Sequence, residues 1–156
     1  VRLKKIVFKA YSRAKGLYNG KEIVLVKPLT YMNRSGTILQ SVLRYAQASL
    51  EDIVVVCDNL DLEPGTCRLK LKGSSAGHRG LASLISRAGT SDFKRLYIGI
   101  GRPHYKNDII RHVLGVPERE EGESIARAIE CAASGILMLL EKSPRQVVNT
   151  INSKCR

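Results

Sequence analysis

The spacing of hydrophobic and polar positions changes several times along the chain, and each change predicts an element. Residues 6–14 and 21–27 are β-like stretches flanking a turn-rich segment at 15–20, the pattern of a hairpin. After Pro28 the period lengthens: Ile38, Leu39, Val42, Leu43 and Ala46 recur at helical spacing and predict a helix with one buried face. Residues 53–57 form an unbroken apolar run, as in a strand covered on both faces, and the run stops at Asp58. Between residues 66 and 72, Cys67, Leu69 and Leu71 alternate with Arg68, Lys70 and Lys72, so one strand face is apolar and the other cationic. A glycine-flanked loop carrying His78 and Arg79 leads into a helix with Leu81, Leu84 and Ile85 inward. Leu96, Ile98 and Ile100 then mark another strand.

Three helical patterns close the chain. Asn107 or Asp108 can cap the first, over Ile109, Ile110, Val113 and Leu114, and Pro117 suits the first turn of the second. In that long helix Ile125, Ile129, Ala132, Ala133, Ile136, Leu137 and Leu140 form the predicted stripe. Glu118, Glu120, Glu121 and Glu123 sit at the positive end of its dipole. Ser143 and Pro144 start the last helix, with Val147, Val148 and Ile151 inward. Strands interleaved with helices imply an α/β fold: a single-domain three-layer sandwich with a mixed β-sheet and helices on both faces.

Composition agrees with one folded domain. The chain has 156 residues, 44% of them hydrophobic, and no low-complexity tract, which disfavours disorder and fibrous classes. No apolar run reaches the roughly 18 to 20 residues of a membrane span. Charge changes the picture more: the formal net charge is +12. The excess is clustered in residues 1–27 and 68–111, which suggests an anionic partner, nucleic acid before membrane. Cys57, Cys67, Cys131 and Cys155 show no short paired spacing, so a zinc site is not expected. Reduced, partly buried thiols and a reducing compartment, the cytoplasm, are expected instead.

Candidate chemistry collects where strands end, the usual site position in open α/β folds. Asn33 can cap a helix or aim its amide at a ligand; Asp58 can orient a histidine or set a turn; His78 and Arg79 stand at a helix start whose amides can meet an anion. The phosphate-loop and dinucleotide patterns are missing, and so is the serine nucleophile elbow.

Taken in register, these segments resemble bacterial peptidyl-tRNA hydrolase from about Tyr11 onward. The pattern proline, any residue, threonine, aromatic, Met, Asn, any residue, Ser, Gly is met by residues 28–36. The acidic strand end is met by Asp58, Leu60, Asp61, Leu62, Pro64 and Gly65, and the loop by Gly77, His78, Gly80 and Leu81. The last strand is met by Phe93, Arg95, Leu96, Gly99, Ile100, Gly101, Arg102 and Pro103. The resemblance implies hydrolysis of the ester joining a peptide to the 3′ ribose of tRNA, by a monomer without metal or cofactor. In it a histidine base, steadied by the strand-end aspartate, activates water. By matched position Asp58, His78 and Asn33 are catalytic. Tyr31, Asn33 and Arg79 bind the substrate's end, and Arg68 and Lys70 meet tRNA phosphate.

This chain departs from the family pattern in three places. The family opens with a buried strand and a Thr, Arg, His, Asn segment that supplies the base, and the 156 residues contain neither. The expectation is a clipped chain or a start assigned too late, inactive as written; the rival reading is a non-catalytic RNA-binding relative, like organellar splicing factors. Arg79 replaces an asparagine, and Tyr97 replaces a basic residue. Of the remaining histidines, His104 is expected in a loop and His112 exposed on a helix.

Overall fold

The computed structural model describes residues 3–5, 10–103 and 105–155. The start of the first strand of the predicted hairpin, residues 6–9, and His104 lie outside the described residues. The architecture is mixed α/β, the class read from the sequence. The chain divides into two compact units, Val1–Ile53 with Lys72–Phe93, and Val54–Leu71 with Lys94–Arg156.

The first unit holds an antiparallel sheet of β1 (Lys4–Lys5), β2 (Tyr11–Tyr18) and β3 (Lys21–Pro28) in that order. The hairpin turn is only Asn19 and Gly20, both with positive φ (49° and 76°), the combination that matches strand twist in a two-residue turn. The turn-rich segment expected at 15–20 is therefore mostly strand, with Lys15 opposite Val24 and Tyr18 opposite Lys21. A 3-10 helix, Met32–Ile38, runs into α1 (Leu39–Ala46), and α2 spans Arg79–Ala88. Tyr11 and Ser41 share a hydroxyl hydrogen bond of 3.2 Å, and the Arg13 guanidinium lies 3.2 Å from the Tyr45 ring centre, so α1 is tied to the hairpin.

The second unit holds a mixed sheet in the order β4–β6–β5. In it β4 (Val54–Asn59) runs parallel to β6 (Lys94–Gly99), and β5 (Cys67–Lys70) runs antiparallel to β6. Among the described residues β4 pairs on one side only, and Val56 is 51% exposed. The expectation that this run is covered on both faces thus fails at an edge, where apolar composition alone does not report neighbours. The central β6 is buried from Arg95 to Gly99.

Three helices follow: α3 (Ile109–Leu114), α4 (Arg119–Met138) and α5 (Pro144–Lys154). Asp108 precedes α3 but makes no side-chain cap, and of the predicted stripe Ile110, Val113 and Leu114 are exposed while only Ile109 is part-buried. Pro117 lies one residue before the Glu118 that caps α4, not inside its first turn. The buried face of α4 is Ala128, Ala132 and Gly135, while Ile129 is 53% exposed and Ala133 is exposed. This face is rotated from the predicted stripe because α5 approaches closely: a Cβ on Gly135 would collide with Ile151. Small residues here are the contact surface. With Leu69, Leu96, Ile98, Val147 and Ile151 they make the unit's core.

The side-chain amide of Asn152 accepts the Leu69 N–H (2.9 Å) and donates to the Leu69 carbonyl (3.2 Å), so α5 binds β5 as a further strand would. Cys131 and Cys155 are joined by a disulfide, Cα to Cα 6.1 Å, which corrects the expectation of four reduced thiols. The packing of α4 and α5 brings together two cysteines 24 positions apart, within ordinary bridging distance. Sequence spacing holds no record of that. Among the described residues no helix is long and apolar enough to cross a membrane.

Candidate active site

In the first unit the proline-led segment is shaped by a close approach. Gly36 lies against the backbone carbonyl of Ser83 in α2, where a Cβ would collide, and its N–H donates to Ser83 Oγ at 3.0 Å. Ser35 Oγ donates to the Met32 carbonyl at 2.8 Å and closes the 3-10 turn from inside. Small residues at 35 and 36 thus seat the segment on α2, while Tyr31 and Asn33 on its other side are exposed. The cap reading of Asn33 fails: Tyr31 is the N-cap residue, no side chain caps this helix, and Asn33 makes no hydrogen bond to the described residues. A cleft of about 620 Å3 beside it is lined by Ala10, Leu29, Thr30, Tyr31, Arg34 and Thr37.

His78 caps α2, its Nδ1 accepting the Leu81 N–H at 3.1 Å. That bond places the proton of the neutral ring on Nε2, which makes Nε2 a donor rather than a base. A Cβ on Gly80 would stand 2.6 Å from Met32 Sδ and 2.9 Å from His78 Cε1, which puts the His78 ring beside the residue preceding Asn33. Arg79 is the exposed first residue of α2. The first unit therefore gathers Tyr31, Asn33, His78 and Arg79 around the 3-10 helix and the start of α2.

The second unit carries Asp58, Arg68 and Lys70. Asp58 is half-buried near the carboxyl end of β4, opposite Ile98, and Asn59 turns the chain after it by accepting the Asp61 N–H at 2.9 Å. Beside it, the Cys57 thiol is pushed up to about 12 by burial, with the Asp58 charge adding to the shift and Arg95 opposing it. Alkylating agents attack the thiolate, so native Cys57 should react with iodoacetamide at least about a hundredfold more slowly than in the urea-unfolded chain. Equal rates, read by mass spectrometry of the Cys57 peptide, would contradict this burial.

Arg68 and Lys70 point outward from β5, as the alternation predicted. Tyr97 is 5% exposed and lies beneath Lys70, whose ammonium is 5.9 Å from the ring centre. The ring, at the position where the resemblance expects a basic residue, thus supports a cation and is itself buried. His112 differs from expectation. Its Nε2 lies 2.8 Å from the Ile100 carbonyl and 3.1 Å from that of Gly101, which makes it a donor to a strand end. It helps line a polar cleft of about 340 Å3 with Asp61, Glu63, Arg102 and Glu121, and Arg102 Nε donates to Asp61 at 2.7 Å. The sequence reading missed this cleft. The one available signal was that Asp61 and Arg102 follow the ends of two strands, here parallel neighbours.

Comparison with known proteins gives the family. The family model described as peptidyl-tRNA hydrolase matches residues 2–156. A curated relative named peptidyl-tRNA hydrolase from Halalkalibacterium halodurans is 42% identical over 146 residues, covering 90% of this chain and 79% of that protein. One of the same name from Aquifex aeolicus is 44% identical over 138 residues, covering 88% and 72%. The crystal structure of peptidyl-tRNA hydrolase from Acinetobacter baumannii superimposes with a TM-score of 0.90 at 34% identity, over 97% of this chain and 77% of that one. With residues 2–156 matched and identity above two-fifths across nearly nine-tenths of its length, this chain belongs to the peptidyl-tRNA hydrolase family.

Proposed function

We propose that the protein hydrolyses the ester between peptide and tRNA in peptidyl-tRNA. The observation that carries this reading is the family match across residues 2–156. The geometry supports it: the Asn33 amide, free of capping duty, suits the peptide or terminal nucleotide, and Tyr31 lies exposed two residues before it. By the resemblance, Asp58 orients the histidine base of the family's Thr, Arg, His, Asn segment, which is not among these 156 residues. His78 serves as a hydrogen-bond donor lining the site rather than as that base, because its Nδ1 is held by α2. Arg79 meets phosphate, a cation in the place of the family's asparagine. The same resemblance carries a single-domain, monomeric, cytoplasmic enzyme that uses neither metal nor cofactor.

The test is release of the acyl group from N-blocked aminoacyl-tRNA, compared with the unblocked form, by the full-length protein. Selective cleavage of the blocked substrate is expected. Binding of tRNA with no release above buffer would overturn the enzyme reading and leave an RNA-binding relative. Arg68 and Lys70 make a separate prediction. Changing either to Ala should weaken tRNA binding and lower the slope of log affinity against log salt by about one, as one phosphate contact is lost. An unchanged slope in a salt titration would remove β5 from the RNA surface.

A further inference from the structure

The second unit contains a group of three sulfurs that the hydrolase reading does not use. Cys67 begins β5, Cys131 lies on α4 and Cys155 ends α5, and all three sulfur atoms are within 4.8 Å of one another. Two of them form the Cys131–Cys155 disulfide, and Cys67 remains a thiol. The backbone draws the three elements together independently, since the Cys67 N–H donates to the Cys155 carbonyl at 2.9 Å. Cys67 and Cys155 are buried and Cys131 is half-buried, so Cys131 is the sulfur that outside reagents reach first.

Packing holds α5 without the covalent bond. Val147 and Ile151 are fully buried in the shared core, and Asn152 engages both backbone groups of Leu69. The reduced chain therefore keeps the same docking, which lets the bond open and close without unfolding. A purely structural bridge needs two sulfurs, and a third in reach allows exchange. In reducing compartments, disulfides of this kind are characteristically transient and redox-sensing.

We propose that Cys67, Cys131 and Cys155 form a thiol–disulfide redox site, oxidised through Cys131 by low-molecular-weight disulfides and able to exchange onto Cys67, that clamps α5 to α4 and β5. In the closing step the Cys131 thiolate attacks a disulfide RSSR, forming a mixed disulfide and releasing RS−. The Cys155 thiolate then attacks Cys131 Sγ, forming the protein disulfide and releasing the second RS−. Two protein thiols lose two electrons and two protons, and RSSR becomes two RSH. In the exchange step Cys67 Sγ attacks Cys155 Sγ, the Cys131–Cys155 bond breaks, and the electron pair and proton go to Cys131. Burial holds the Cys67 thiol above its ordinary value, so this exchange quickens as pH rises. The inference goes beyond the hydrolase reading and stands without it.

The test incubates the full-length protein in reduced and in oxidised glutathione, quenches with acid, alkylates under denaturing conditions and maps the cysteine peptides. Oxidation should join Cys131 to Cys155, and reduction should free both. The oxidised form should melt on the order of 10 °C above the reduced form. Cys155→Ser should form a Cys67–Cys131 bond on oxidation, because the entry thiol is kept and Cys67 Sγ is in reach of it, whereas Cys67→Ser should keep the original pair. The proposal is overturned if no intramolecular disulfide forms in oxidised glutathione, or if Cys155→Ser yields only the glutathione adduct. Equal melting temperatures would overturn the clamp. Retention of one zinc ion by the reduced protein through EDTA, with all three thiols protected from alkylation, would make the group a metal site instead.

Discussion

In a protein that also carries the family's Thr, Arg, His, Asn segment, Asp58→Asn should slow cleavage of N-blocked aminoacyl-tRNA by about 10² or more while the protein keeps its melting temperature. The two side chains have the same shape, and Asp58 is only half-buried near the end of β4, so the exchange removes a charge and little packing. On the proposed mechanism, what is lost is the carboxylate that favours a positively charged imidazole as the histidine takes a proton from water. The loss falls on kcat rather than KM, because Asp58 acts through the base and not on the bound ester. A second readout reports whether the charge is gone. The Asp58 carboxylate helps to raise the Cys57 thiol, so Asp58→Asn should lower the Cys57 pKa and speed its alkylation. Faster alkylation with unchanged turnover would remove Asp58 from the mechanism and leave the fold as described.

Leu69→Ala should cost about 2 to 5 kcal/mol of stability and lower the melting temperature on the order of 10 °C. Leu69 is 0% exposed, the centre of a core that includes Leu96, Ile98, Ala128, Ala132, Val147 and Ile151. Its side chain fills the space between β5 and the two last helices, and the backbone bonds of Asn152 fix the strand there, so the cavity cannot readily collapse. Urea or thermal unfolding checks the value. A loss below about 1 kcal/mol would mean that α5 is not seated as described.

Much of this was legible from spacing alone. Alternation around Leu69 placed Arg68 and Lys70 outside, and helical spacing located α1, α2, α4 and α5. The motif segments led to the family. What spacing missed has one physical source: contacts between positions far apart in sequence. The rotated face of α4 follows from the close approach of α5 at Gly135 and Ile151, and small residues leave only a faint hydrophobic signal. The Cys131–Cys155 bond and the seating of His112 on strand-end carbonyls depend on which elements become neighbours. For Asn33 the sequence allowed a cap or a ligand contact, and for His78 a structural place or one in the site. Only backbone geometry could separate them, making His78 the cap and freeing Asn33.

The grip of Asn152 on Leu69 also bears on solubility. β5 is the outer strand on its side of the sheet, and the unpaired N–H and C=O groups of such a strand are a template for pairing with another chain. Here the Asn152 amide occupies both backbone groups of Leu69, and the Cys155 carbonyl takes the N–H of Cys67. The last helix therefore acts as an edge cover. A chain that loses it loses packing and also exposes a short, apolar-faced strand, so its failure takes the form of self-association into β-rich aggregates as well as unfolding.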